Sequence, residues 1–257
     1  MYNLPEVTLL ITHYNRSASL ERLLKAFSDL DCHFGDIVVS DDCSKPEHLD
    51  RLIELKEELG FTLVTTPKNG GLGNNINKGQ EVVKTPYTLY VQEDFVPTEV
   101  FPDRLVESIG FMNEDKSLDI IRYYAYFRHP ILEPFKNGYS YMKFNFWNQN
   151  HIKFYLYSDH PHLRRSTFLE KFGRYAEGLN VNVTEFYMSL RFIQRKGKGL
   201  FYENFTTLFD QKNTSSEPST ANRDAWRESS NVFILALRSV YLRFRWLKNT
   251  YQLLTKK

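Results

Sequence analysis

Cysteine is almost missing from this 257-residue chain: Cys32 and Cys43 are its only two, and neither stands in a C-x-x-C spacing. That excludes a disulfide-stapled scaffold and a thiolate zinc site, and it fits a reduced, cytoplasmic protein. A long apolar run is missing too. No stretch approaches the ~20 residues that span a bilayer, and the opening MYNLPEVTLL has neither a basic n-region nor a cleavage site. The expectation is a chain neither secreted through a signal peptide nor membrane-spanning, in which the N-x-T triplets at Asn182 and Asn204 are chance matches. Charge of one sign is also missing. With 33 basic and 31 acidic residues the net charge is +2, which gives no reason to expect a nucleic acid or another polyanion as partner. What is present, 42% hydrophobic and 25% charged residues, is enough to close a substantial core.

The first half alternates strand and helix. Val7–Ile11 reads as a strand, and Leu20, Leu23, Leu24 and Phe27 recur at helical spacing. Ile37–Val39 is a second strand, and Leu49, Leu52, Ile53, Leu55 and Leu59 mark a second helix closed by Gly60 as C-cap. Phe61–Val64 resumes as a strand, the Gly-rich KNGGLGNNINKG opens a third helix, and Tyr87–Val91 is the next strand. Such βαβ units build a mostly parallel sheet, with ligands at the carboxyl ends of the strands. Ile120–Tyr124 is a further strand; the aromatic stretch after it, residues 125–165, carries no readable period.

Three apolar runs end in polar side chains at that edge: VTLLITHYNR, DIVVSDDCS and TLYVQEDFVP. Glu93 and Asp94 cannot leave water without a cation or hydrogen-bond donors, so a positive group is expected beside them.

These motifs, with KNGGLGNNINKG, HLRRSTFLEKFGRYAEG and TEFYMSLR, resemble in order the motifs of family 2 glycosyltransferases over roughly residues 5–210. The resemblance implies a GT-A fold, α/β with a mostly parallel central sheet flanked by helices. It also implies inverting transfer of a sugar from a UDP-sugar donor to a hydroxyl of a saccharide or lipid-linked acceptor, as in surface-glycan (polysaccharide) synthesis, with Mn²⁺ or Mg²⁺ as cofactor. Carried residue by residue, it puts Thr12 and Asp42 at the nucleobase, Tyr14 at the nucleotide, and Asn69, Gly71, Gly73 and Asn77 at a Gly-bearing turn near the nucleotide. Ile76 stands where an arginine is frequent. Gln92 replaces the first aspartate of an Asp-x-Asp motif, Glu93 follows it on the nucleotide side, and Asp94 is the metal ligand. Asp210 in TTLFDQK takes the place of a metal-completing histidine, and Glu185 is the catalytic base, with Arg191 at the family's spacing; Glu177 and Asp159 are rival bases. Each of these residues also has a plain structural role open to it: Asp42 as a helix cap, the glycines as chain reversal, Glu185 as an acid at a helix N-terminus, His160 and His162 as packed rather than metal-binding.

The implied organisation is a catalytic domain over 1–210, with a nucleotide-binding half at about 1–100 and an acceptor-binding half at about 101–210, then a flexible linker over 211–230 and a basic amphipathic helix over 231–257. That last segment has six basic residues and no acidic one among Leu, Phe, Trp and Tyr. It suits the anionic inner face of the plasma membrane, and equally a seat on the domain or on a second copy in a homodimer. Two other readings share parts of this pattern. A nucleotidyltransferase needs a Gly-rich basic loop after the first strand, where THYNRSAS is poor in glycine. A non-catalytic sugar-nucleotide-binding protein would account for Gln92 and for glutamate at 185.

Overall fold

The computed structural model describes residues 1–213, Glu217 and 232–256, with side chains of the last segment described from Tyr241 onward. Strand β1 (Tyr2–His13) is buried from Val7 to its end and lies in the sheet interior, third from one edge. It pairs in parallel with β2 (Cys32–Asp41) and with β4 (Tyr87–Gln92). The β1–β2 register slips between Leu4 and Thr8. Pro5 lies in that gap and has no N–H to give the ladder, and a Cβ at the facing Gly35 would collide with the Pro5 carbonyl oxygen. Strand β3 (Thr62–Val64) extends the sheet beyond β2.

Three helices follow these strands. In α1 (Ser17–Asp29) the buried residues Leu20, Leu23, Leu24 and Phe27 form the stripe that the spacing predicts. Helix α2 (Pro46–Leu59) begins on a proline at its first turn and ends on Gly60 at φ 69°, a left-handed cap that glycine adopts without strain. Helix α3 (Gly71–Glu81) packs on the other face. The alternation along the strands makes this a three-layer arrangement. Leu9, Ile11, Val39, Leu89 and Val91 join α1 in one core, while Leu10, Val38 and Tyr90 join Ile76 of α3 in the other.

Beyond residue 97 the architecture departs from the sequence reading. After β5 (Phe95–Pro97) come a helix with no sequence forecast, α4 (Phe101–Glu114), and the short strands β6 (Ile120–Arg122), β7 (Leu132–Pro134), β8 (Tyr139–Met142), β9 (His162–Arg165) and β10 (Gly199–Tyr202). The helices α5 (Phe168–Phe172) and α6 (Val181–Gln194) lie between β9 and β10, and β11 (Phe209–Gln211) pairs with β5 in a separate ribbon. The nine-stranded order is β3-β2-β1-β4-β9-β6-β10-β8-β7. Strand β9 runs antiparallel between β4 and β6, and β8 and β7 are antiparallel as well. The sheet is therefore mixed in its pairings but mostly parallel in direction: β6 and β10 also pair in parallel, and only β9 and β8 run against the other seven strands. The strand expected to reach Tyr124 ends at Arg122, where the Tyr123 amide turns away to Pro161.

The expected linker over 211–230 starts too early. Gln211 belongs to β11, and Glu217 is buried with its carboxylate on the first amides of α1, at 3.0 Å from Ala18 N and 2.8 Å from Ser19 N. Residues 214–216 and 218–230 of that segment lie outside the described residues.

The C-terminal helix α7 (Val232–Thr255) is present and packs on the domain. Arg245 donates to the Tyr155 hydroxyl at 2.6 Å, Trp246 Nε1 to the Asn148 carbonyl at 3.0 Å, and Leu253 and Asn249 are buried. The buried Lys153 lies beneath it, 5.3 Å from the Trp246 ring. Its opposite face leaves Phe244, Leu247, Tyr251 and Leu254 exposed in one stripe. Among the described residues no helix is long and apolar enough to cross a membrane.

Candidate active site

The polar tips of β1, β2 and β4 meet at one edge of the sheet, and the two acid pairs there are used differently. Asp41 is fully buried. Its carboxylate takes His13 Nδ1 at 2.8 Å, the Ser44 hydroxyl at 2.5 Å and the Ser44 amide at 2.9 Å. Burial alone would raise its pKa; the hydrogen bonds from His13 and Ser44 outweigh it and hold the group below the ordinary carboxylate value. Asp42 accepts the Gly70 and Gly71 amides, one on each oxygen, both at 2.8 Å. It clamps the Gly-rich turn, so the nucleobase role expected of it must share the carboxylate with a structural one.

The turn itself is built by packing. Gly71 has φ +77°, and a Cβ at Gly73 would collide with the Ala176 carbonyl. Asn77 is buried, donating to Tyr175 O and Glu177 Oε1 and accepting from Tyr175 N, so it joins α3 to the 175–177 segment. Gly73 and Asn77 thus carry the packing of α3 against the 175–177 segment. Asn69 accepts the Gly71 amide at 3.2 Å and, with Thr66, Lys68, Gly71, Asn74 and Glu177, lines a cleft of about 600 Å³ beside Asp42. Thr12 is buried with its hydroxyl 3.0 Å from that of Tyr90, and Tyr14 lies exposed just after β1. Ile76 is core. Lys78, one residue after Asn77, is the cation near Asp41 and Asp42, and burial pulls its pKa down to about 8.

At the tip of β4, Glu93 and Asp94 are both buried, and the expected positive group is Arg16. Its Nη1 stands 3.6 Å from each carboxylate, while Nη2 donates to Asn213 and to the Glu217 carbonyl. Burial, reinforced by the neighbouring Asp94 charge, raises Glu93 to about 8. Gln211 Nε2 donates to Asp94 at 2.9 Å. Asp210, expected there as a metal ligand, is exposed: on a strand, neighbouring side chains face opposite ways, and the residue turned to Asp94 is Gln211.

Glu185 stands half-exposed on the first turns of α6, against Asp159. Asp159 is buried, its amide 3.4 Å from Glu185 Oε1 and its Oδ2 3.3 Å from Gln92 Nε2. Burial first, then the Glu185 charge and a hydrogen bond between the two carboxyls, raises Asp159 well above the ordinary value. Arg122 faces both and is itself buried, its pKa lowered to about 10 by desolvation. Of the rival bases, Glu177 is tied to Asn74 and Asn77 at the far cleft. Burial lowers the pKa of His162 well below the ordinary value; its Nδ1 bonds the His160 carbonyl, and it is packed against Tyr90 rather than placed as a metal ligand.

Arg16, Arg122, Gln211 and Glu217 are the members that sequence reasoning missed. A single arginine in THYNRSAS was the only available signal for the first.

The sequence profile described as glycosyl transferase family 2 matches residues 8–173. The chain belongs to glycosyl transferase family 2. No curated protein matches it by sequence. Among solved structures, S. aureus TarS 1-349 is similar with TM-score 0.58 at 16% identity over 79% of this chain and 59% of that one. The same TarS fragment in complex with UDP-GlcNAc is similar with TM-score 0.62 at 14% identity, covering 96% and 73%. The mannosyltransferase PcManGT from Pyrobaculum calidifontis, in complex with GDP-Man and Mn2+, is similar with TM-score 0.52 at 13% identity, covering 77% and 55%. These likenesses establish a shared GT-A fold. The chain spans 59% of the first TarS structure's length.

As to the family's metal, the described residues hold no group of three or more His, Cys, Asp or Glu side chains that would cage an ion. Mg²⁺ and Mn²⁺ in nucleotide enzymes use one or two carboxylates together with the substrate phosphates. The buried pair Glu93 and Asp94 fits that requirement, with Arg16 as the cation beside it.

Proposed function

We propose that this protein is an inverting glycosyltransferase that moves a sugar from a UDP-sugar to a hydroxyl of a saccharide or lipid-linked acceptor in surface-glycan synthesis. The observation that carries this reading is the position of Glu185: a half-exposed carboxylate held against Asp159, which in turn touches Gln92 at the strand tip next to Glu93 and Asp94. A merely nucleotide-binding protein has no use for a second carboxyl pair there. Glu185 removes the proton of the acceptor hydroxyl as its oxygen bonds to the sugar C1, the C1–O bond to the diphosphate breaks on the opposite face, and UDP leaves with the electron pair. The cleft between the Gly-rich turn and Glu177 suits the nucleoside, with Asn69 at its wall. A Mn²⁺ or Mg²⁺ held by Asp94, with Glu93 adjacent, would supply positive charge for the departing diphosphate. Arg16 orients those carboxylates and balances them. UDP as the nucleotide is supported by the TarS complex, and Mn²⁺ by the mannosyltransferase complex.

For the acceptor side, the exposed stripe of α7 supports seating on an anionic membrane surface. Phe244, Leu247, Tyr251 and Leu254 are flanked by exposed Arg243 and Lys248, and residues 231–257 contain no acid. This is the pattern of an interfacial helix. A lipid-linked acceptor would be presented at that surface.

The test is UDP release from a panel of UDP-sugars with Mn²⁺. Glu185→Gln should bind UDP as the wild type does and turn over about 10²-fold more slowly or worse, as removal of a general base does. Turnover unchanged in that variant would refute the assignment.

A further inference from the structure

Gln92 departs from the carboxylate that the family's motif carries at this position, and its surroundings give a reason. A polar chain runs from the buried Thr12 and Tyr90 to the half-buried Gln92 and the buried Asp159, and ends at the half-exposed Glu185. Asp159 has one oxygen on the Gln92 amide, its backbone N–H on Glu185, and its carboxyl hydrogen-bonded to that of Glu185. The charged and titratable groups facing it are Glu185 from α6, Arg122 from β6, Tyr90 from β4, Tyr157 from its own segment, and Tyr175. Arg122 is the one cation in that set, already hydrogen-bonded to Tyr155 O at 2.7 Å.

We propose that Asp159 is a positioning residue that joins the donor-side strand tip to the acceptor-activating Glu185, and that Gln92 is its matched partner, neutral because a carboxylate at 92 would stand against Asp159. The role assigned to Glu185 is taken from the reading above. The buried Asp159 and the half-exposed Glu185 already share one guanidinium; a third acid in hydrogen-bond reach would face Asp159 with the Tyr90 hydroxyl as a donor but no counter-charge of its own. The amide is the one group of that size that gives Asp159 an N–H. Burial, which raises the Asp159 pKa well above the ordinary carboxylate value, also disfavours a further charge beside it.

The experiment is a cycle of same-size exchanges in the full chain: Gln92→Glu, Asp159→Asn and the double variant. It is read by thermal unfolding, which needs no knowledge of the sugar, and by UDP release from the UDP-sugar panel across pH 5–9. Gln92→Glu should lower the melting temperature and cut turnover at least about 10-fold, within the coupling range of contacting groups. Adding Asp159→Asn should restore most of both, because the new amide can donate to the carboxylate introduced at position 92. Asp159→Asn alone should lower kcat and shift the acid limb of the pH profile while the dissociation constant of UDP stays within about twofold. If the two exchanges are additive in stability and in turnover, the matched pair is refuted. Rescue in the double variant together with full turnover in Glu185→Gln would keep the pair and remove the base; additivity together with an inactive Glu185→Gln would do the reverse.

Discussion

The tips of β2 and β4 each carry two adjacent acids, and they differ in what their oxygens touch. At β2, Asp41 is satisfied by His13 and Ser44, and each oxygen of Asp42 holds one amide of the Gly70–Gly71 turn. At β4, Glu93 and Asp94 are just as buried but meet a guanidinium only at 3.6 Å and the Gln211 amide. The first pair holds the fold together. The second keeps acceptor capacity in a low-dielectric spot, where a ligand cation or phosphate-bound ion gains the most. Two neighbouring acids at a strand end are therefore no signature by themselves; the donors around them decide which pair is taken up by the fold and which is left able to accept a ligand.

The sharpest way to break this contrast is Asp41→Asn. It should destabilise the fold by about 1–3 kcal/mol, the usual cost of leaving buried partners unsatisfied, with little effect on UDP affinity in the folded fraction; denaturant unfolding measures the first and calorimetry the second. The pH dependence has a defined sign. The folded pKa of Asp41 lies below its ordinary 3.8, so its contribution is present above that value and is lost as pH falls through the folded pKa. In the asparagine variant the stability loss should therefore shrink under acid conditions. A loss growing towards low pH would contradict the assignment.

A smaller effect concerns the far side of the molecule. Replacing exposed Leu247 and Tyr251 by serine leaves the inner face of α7, with Trp246, Asn249 and Leu253, untouched. Stability should change by no more than about 0.5 kcal/mol, while flotation with anionic vesicles at low salt should fall severalfold. Unchanged flotation would remove the membrane from the account.

The strand and helix order up to Val91 was legible because each element there carries its own period: an apolar run for β1, a spaced stripe for α1, and a proline start and glycine stop for α2. The need of the acid pair at the β4 tip for a cation was legible from its place after an apolar strand, and Arg16 meets it. Strand β9 was not legible. Its sequence HLRR holds no apolar run, and the buried Arg164 is satisfied by Tyr175, in a later loop, and by Gln80, 84 residues away. Helix α4 went unread although Leu105, Ile109 and Met112 are buried along it. The assignment of Asp210 failed on strand parity, which no single sequence fixes for a three-residue strand, and Arg16 was invisible because its partners Asn213 and Glu217 lie about 200 positions away.

The most direct test of the donor site is calorimetry of UDP binding with and without Mn²⁺, comparing the wild type with Asp94→Asn. Preferential binding of UDP over CMP and GDP, abolished by a chelator and weakened at least about 10-fold in Asp94→Asn, a loss of ~1.4 kcal/mol, is the predicted result. Equal binding of all three nucleotides, indifferent to chelator and to the state of residue 94, would contradict it.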